Sequence, residues 1–348
     1  MQCPYRSLRR VVRVLCILQK ITLNDRIINL ICIKIIIECK YKGDIAMKVD
    51  VIGVPIDLGA NRRGVDMGPS AIRYGGLKKA ITNLNIAYID LGNIEVPIPE
   101  SYEEFEDERY KHIEEIAYVN QTLAAIVSKS LLAGNLPIIL GGDHSIAAGS
   151  ILGTQRVLGN IGVIWIDAHG DFNTRETTLS GNLHGMSLAA AAGFGALEMV
   201  KFKPKDVNYV NPKKVALVGV RDIDDAEAKL IKESGITVFT IADIDKYGIK
   251  EVMVRALEIA GTDTEGFHVS FDIDVMNPNE APGVGTPVNG GLTYREAHLA
   301  AEMIANTQKL RSLEVVEVNP IFDHMNQTGK LAVSLICSMI GKRILGSL

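Results

Sequence analysis

Trp165-Ile166-Asp167-Ala168-His169-Gly170-Asp171-Phe172-Asn173, entered from the apolar run 161–164, decides how this chain folds. Bulky apolar side chains continue to Ile166, and then an acid, an imidazole and a second acid fall at every other position. An extended segment would aim Asp167, His169 and Asp171 to one side. One such stretch can be a polar turn or a metal site, but the same transition recurs. Residues 136–140 lead into Gly141-Gly142-Asp143-His144-Ser145, and residues 267–271 lead into Asp272-Ile273-Asp274. Runs 215–220 and 313–316 stop before Arg221-Asp222-Ile223-Asp224 and Glu317-Val318-Asn319-Pro320. Buried carboxylates are costly unless they are paired or coordinate a metal. In open α/β sheets ligands bind at the carboxyl ends of the strands. The pattern therefore reads as one metal site assembled from distant parts of the chain.

Working outward, apolar β-type runs alternate with helical patterns from Met47 onward. Strands are predicted at 49–54, 86–91, 137–140, 162–166, 215–220, 237–240, 267–271 and 313–318, with amphipathic segments at 110–133, 226–234, 249–260 and 294–306. Near-continuous apolar strands alternating with helices indicate a mostly parallel sheet covered on both faces. The expected fold is a single three-layer α/β/α domain with an eight-stranded sheet, over residues 47–348. A (β/α)8 barrel is the alternative, disfavoured by the uneven spacing of the connections.

The chain has 348 residues, 47% hydrophobic and 22% charged, with a formal net charge of -4. That is the composition of a globular protein with ample length for a large core. The mild acidity and the absence of a basic stripe in the body argue against nucleic acid as a partner. Residues 1–46 stand apart. They hold Cys3, Cys16, Cys32 and Cys39, an arginine cluster at 6–13, and the apolar stretch 27–37, which is too short to span a membrane. As a signal peptide the segment lacks a clean apolar core; as a mitochondrial presequence it is poor in Ser and carries Asp25 and Glu38. Lys42-Gly43-Asp44 can be encoded by a purine-rich run of the kind that precedes bacterial start codons. Translation is therefore expected to begin at Met47, with 1–46 an extension outside the working protein. Only Cys337 remains in the body, so no disulfide framework points to an oxidising compartment, and a cytoplasmic location is expected.

Four carboxylates (Asp167, Asp171, Asp272, Asp274) and two imidazoles (His144, His169) are too many ligands for one ion. A donor set dominated by carboxylate favours Mn2+ over Zn2+. Two ions bridged by carboxylates make a shared water acidic enough to be a hydroxide near neutral pH, a hydrolytic nucleophile.

The motifs G-G-D-H-S at 141–145, D-A-H-G-D-F-N-T at 167–174 and S-F-D-I-D at 270–274 resemble those of the ureohydrolases, and S-G-N-L-H-G-M at 180–186 narrows the resemblance to arginase. V-P-I-D-L-G at 54–59 and R-R-G-V-D-M-G-P at 62–69 extend it over nearly the whole body. The resemblance implies Mn2+-dependent hydrolysis of L-arginine to L-ornithine and urea by a metal-bridging hydroxide, with two Mn2+ per subunit. One ion would take His144, Asp167, Asp171 and Asp272; the other Asp167, His169, Asp272 and Asp274. Asp171 would pass a proton to the leaving amine, and His184 would shuttle protons to bulk water, which suits an imidazole. Glu317 would anchor the guanidinium. Asn173, Ser180, Asn182, Asp224, Glu227 and Thr286 would complete the substrate site, Asn173 and Ser180 at the α-carboxylate and Asp224 at the α-amino group. A homo-oligomer, trimer or hexamer, acting on L-arginine without nucleic acid or membrane, is implied as well. One position departs from the family: its Asp-Pro pair is Asn277-Pro278 here. Asn can keep an Asx turn but loses the charge.

Other residues are read more plainly. His112, His298 and His324 are expected at the surface or satisfied, His268 packed in the core, and Trp165 as core packing. The acidic run 103–108 is expected to be a solvated face. Glycines 141, 142, 283 and 285 permit tight turns, since no P-loop spacing is present. Rival functions are another guanidino hydrolase, such as agmatinase or guanidinobutyrase, and a catalytically silent metal- or arginine-binding protein.

Overall fold

The computed structural model describes residues 47–98, 110–200 and 208–346. The expectations for residues 1–46 and for the acidic run 103–108 lie outside the described residues.

Eight strands form one sheet: β1 (Lys48–Val54), β2 (Ala87–Asn93), β3 (Leu136–Gly141), β4 (Gly162–Ile166), β5 (Val215–Val220), β6 (Thr237–Thr240), β7 (Phe267–Asp272) and β8 (Leu310–Val316). Their order is β2-β1-β3-β8-β7-β4-β5-β6, and every pairing is parallel. The sheet is thus wholly parallel, and the open order excludes the barrel. β3, β4, β5 and β7 are buried at every residue, which is why their sequences run apolar without alternation.

The helices are α1 (Gly68–Tyr74), α2 (Leu77–Thr82), α3 (Ile113–Leu132), α4 (Ala147–Leu158), α5 (Ser187–Ala192), α6 (Asp225–Ser234), α7 (Ile241–Gly261), α8 (Tyr294–Asn306) and α9 (Gln327–Met339). Alternate strand residues feed two apolar cores. One, with Val49, Ile138, Ile164 and Val269, is covered by α1, α2, α7, α8 and α9. The other, with Ile52, Ile139, Trp165 and Leu217, is covered by α3, α4, α5 and α6. That is the three-layer arrangement expected.

Capping boxes start two helices: Thr240 with Asp243 for α7 and Thr293 with Glu296 for α8. Within α7, Gly248 is non-helical at φ 79°, so the predicted segment 249–260 is the part beyond the break.

The register aligns the strand ends. Ile166 lies opposite Phe271 and Asp272 opposite Val316, so Asp167, Asp272 and Glu317 leave the sheet at nearly one level. The neighbours β3, β8, β7, β4 and β5 send His144, Glu317, Asp272 with Asp274, the 167–171 segment and Asp224 out of the same edge.

Candidate metal centre

β4 ends at Ile166, and the three predicted ligands after it do not converge by strand alternation. The chain turns instead: the His169 N–H donates to Asp167 Oδ1 at 2.7 Å, and Asp171 adopts φ 47°. The turn does what the expected extended segment was assigned to do.

His144 Nδ1 lies 3.1 Å from Asp167 Oδ2, 3.0 Å from Asp171 Oδ2 and 3.1 Å from Asp272 Oδ2. His169 Nδ1 lies 3.4 Å from Asp167 Oδ1 and 3.1 Å from Asp274 Oδ2. His144, Asp167 and Asp272 form one group, and Asp167, His169 and Asp274 a second, each with ligand atoms within 4.8 Å of one another. Asp167 belongs to both.

Neighbouring side chains fix these ligands. Trp165 stacks on His144 with centroids 4.1 Å apart and donates Nε1–H to Asp167 Oδ2 at 2.9 Å. It is therefore a support of the site as well as core packing. His144 Nε2 lies 2.7 Å from Ser270 Oγ; a proton held there leaves Nδ1 with its lone pair toward the carboxylates. Asp272 Oδ1 accepts the Asp274 N–H at 2.8 Å, and Thr286 donates to Asp274 Oδ2 at 2.9 Å.

The electrostatics describe an acidic pocket that demands cations. Burial pushes the Asp272 carboxyl well above the carboxylate range, and repulsion from Asp274 and Asp167 adds to it. Asp171 is raised for the same reasons, by burial and by Asp167. Burial opposes charge on both imidazoles, yet the carboxylates around them hold His144 and His169 well above the usual histidine value. Asp167 is held low despite burial, by hydrogen bonds from those imidazoles. The donors are oxygen and imidazole nitrogen, with no thiolate, so the set fits divalent cations that accept carboxylates.

Beside this centre, Glu317 Oε1 accepts the His144 N–H at 2.9 Å and lies 3.0 Å from His184 Nδ1. Burial works against a charged His184, but the Glu317 carboxylate raises it to about 9. Asp143, pushed up to about 6 by burial and by Glu317, accepts the Gly59 N–H at 2.7 Å, and the Gly59 carbonyl accepts the His184 N–H at 3.1 Å. Gly142 is needed for close approach: a Cβ there would stand 1.8 Å from the Ile56 carbonyl oxygen.

Of the expected substrate residues, Thr286 is the one engaged with Asp274, and the others fall into two sets. Asn173 Nδ2 reaches Asp224 Oδ2 at 3.4 Å, and Asn173 Oδ1 accepts from Thr177 at 2.9 Å. Glu227, 4% exposed, accepts the Phe172 N–H at 2.8 Å, and burial raises its carboxyl to about 7. Ser180 and Asn182 sit apart on a turn, where Ser180 Oγ accepts the Asn182 N–H at 3.2 Å.

Ser270, Asp143 and the support from Trp165 were missed by sequence reasoning. The signal for Ser270 was a polar residue two before Asp272 in an apolar strand. His268 is buried as expected, but beside Glu314 at 3.2 Å and Ser312 at 2.7 Å, in a polar cluster below the ligands. His298 is satisfied by Ser338 at 2.9 Å. Asn277 makes the expected Asx turn, its Oδ1 accepting the Asn279 N–H at 3.0 Å.

A family model described as the Arginase family matches residues 47–341. The arginase of Bacillus caldovelox is 46% identical over 300 residues, covering 85% of this chain and 99% of that protein. A solved structure of an arginase from Bacillus caldovelox superposes with a TM-score of 0.81 at 46% identity, over 86% of this chain and 99% of that one. An Entamoeba histolytica arginase solved with L-ornithine superposes with a TM-score of 0.78 at 33% identity, over 86% and 100%.

Proposed function

Since this chain belongs to the arginase family, we propose that it hydrolyses L-arginine to L-ornithine and urea with Mn2+ as cofactor. The observation that carries this reading is the pair of ligand groups sharing Asp167, with the Glu317 carboxylate alongside. His144, Asp167, Asp171 and Asp272 would hold one ion, and Asp167, His169, Asp272 and Asp274 the other. Bound there, two divalent cations supply Lewis acidity and a water made acidic enough to attack near neutral pH.

The chain's own residues do the rest. Glu317 Oε1 is engaged by His144 and His184, which leaves Oε2 to receive the planar guanidinium. Gly285 gives room there: Oε2 is the nearest atom to a Cβ placed at that glycine, at 3.4 Å. Asp171 would pass the proton released by the attacking water to the leaving amine. Half-buried His184 carries protons between this carboxylate cluster and bulk water. Asn173, Ser180 and Asn182 are assigned to the α-carboxylate, Asp224 and Glu227 to the α-amino group, and Thr286 to support of Asp274.

A cytoplasmic location is proposed on the single buried body cysteine, Cys337. No described helix is long and apolar enough to cross a membrane. Assembly into a trimer or hexamer is proposed on exposed apolar residues such as Ile321, Phe322 and Met325, which a second copy can cover; sedimentation velocity tests it.

Urea release from arginine, agmatine and guanidinobutyrate, each with added Mn2+, tests the reaction. Preference for arginine supports the proposal. Preference for another guanidino compound reassigns the substrate, and no urea from any of them leaves the silent binding protein.

A further inference from the structure

We propose that Arg221, which lies outside both the ligand set and the substrate set, is the positioning residue for the cation site of Asp167, His169 and Asp274. The inference rests on reading that site as a metal centre.

Arg221 is the first residue after β5. Just before it, Gly219 adopts φ +100°, and a Cβ there would stand 2.6 Å from Val275 Cγ2. The strand end is thereby pressed against the segment that carries Asp274. From this place Arg221 grips two ligand-bearing turns at once. Its backbone N–H donates at 2.8 Å to the carbonyl of Ala168, the residue between Asp167 and His169, and the Asp222 N–H shares that acceptor at 3.0 Å. Its side chain reaches the other turn. Nη2 donates to the Asp274 carbonyl at 2.8 Å and to the Val288 carbonyl at 2.8 Å; Nη1 donates to Val275 O at 3.1 Å and Nε to Asn289 O at 3.1 Å. A longer Nη2 contact, 3.4 Å, reaches Met276 O.

These side-chain bonds all end on main-chain carbonyls, so the cation here fixes backbone geometry. Asp274 sits on a short 3-10 turn, Ile273–Val275, whose N-terminus is capped by Asp272 Oδ1 but whose carbonyl side needs outside donors. The guanidinium holds that turn by the Asp274 and Val275 carbonyls. It also holds the 288–289 stretch, which lies just beyond Thr286, the donor to the Asp274 carboxylate. Main chain and side chain of one ligand are thus set from a single planar fork. Lys, a point charge on a flexible stem, cannot span five divergent carbonyls in that way. The His144 group has supports of its own in the Trp165 ring stacked on His144 and in Ser270, while Asp167 is common to both groups.

Outer partners of metal ligands typically change affinity about ten- to a hundredfold. The test is equilibrium binding of Mn2+ to the full chain, read by the electron paramagnetic resonance of free Mn2+, for wild type, Arg221→Ala and Arg221→Lys. Wild type is expected to bind two ions. Arg221→Ala is expected to keep one near wild-type affinity and to weaken the other by roughly ten- to a hundredfold. Arg221→Lys is expected to follow Ala, and it carries the test alone if the Ala variant does not fold. Wild-type affinity for both ions in the variants, equal weakening of both, or full rescue by Lys would overturn the inference. A wild type that binds no Mn2+ would overturn the metal-centre reading on which it rests.

Discussion

Replacing Glu227 with Gln is expected to stabilise this protein at alkaline pH while weakening its handling of substrate. Glu227 is 4% exposed, and burial raises its carboxyl from 4.5 to about 7, helped by repulsion from Asp171 and Asp224 and opposed by the Phe172 N–H. Its folded-state value lies above its unfolded one, so the native state binds the proton more tightly. Stability therefore falls as pH rises from 4.5 through about 7, and the full penalty stands above that window. At about 1.4 kcal/mol per tenfold change in proton affinity, the penalty is about 3 kcal/mol. The amide has no such penalty. It keeps an acceptor for Phe172 N, and the value of about 7 already includes the bond from that N–H to the charged carboxylate. The net gain at about pH 8 is therefore about 3 kcal/mol, vanishing below pH 4.5, where both proteins carry a neutral group. Urea unfolding at fixed Mn2+ over this range measures the difference, and kcat/KM for arginine at alkaline pH measures the functional cost. A stability difference that does not change with pH would refute the reasoning, because it would show that burial does not hold a proton on Glu227.

Three further outcomes follow from the site. Asp171→Asn removes the residue proposed as both ligand and proton carrier, so its loss of kcat is expected to exceed that of His184→Asn, whose proposed shuttle role solvent can partly fill; the reverse order in steady-state kinetics would overturn the assigned roles. Trp165 is the sole tryptophan and stacks on His144 with its N–H on Asp167, so removal of metal by a chelator is expected to shift its fluorescence in step with a fall in Tm; unchanged emission would separate it from the centre. Asn173→Ala is expected to lower kcat/KM for arginine by about ten- to a hundredfold, the worth of a hydrogen bond to a charged group, with little change for agmatine or in bound Mn2+; equal losses for the two substrates would place Asn173 in the metal scaffold.

Much of this architecture was legible because burial on both faces forces strands to be apolar throughout. The predicted strand 162–166 coincides with β4 and 215–220 with β5; 237–240 coincides with the half-buried edge strand β6, and the amphipathic segment 294–306 with α8. Helices without a polar face were not legible. In α4 nearly every residue is buried, with Arg156 the exception, so no 3.6-residue alternation marks it. α9 is similarly enclosed. Sheet order was also hidden: β8 inserts between β3 and β7, and that insertion brings Glu317 beside His144. Composition cannot show it, because the contact spans 173 residues of chain.

The residues that gather at the candidate centre were visible in the sequence; the backbone that aims them was not. Asp171 at φ 47° and Glu317 at φ 64° both occupy the left-handed region, where a side chain ordinarily costs about 1–3 kcal/mol. Glycine would relieve that strain, but it would delete the carboxylate, so the fold must offset it by other means. The Glu317 N–H donates to the Gly142 carbonyl at 2.8 Å, which ties the strained residue to the turn that presents His144. The Asp171 carbonyl accepts the Leu188 N–H at 3.1 Å and the Ala189 N–H at 3.3 Å, amides of the first turn of α5 that have no partner within their own helix. Each strained carboxylate is thus clamped by a main-chain bond to an element that carries or flanks another site residue. Strain and support come from parts of the chain far apart in sequence, and no local pattern around either residue can announce them.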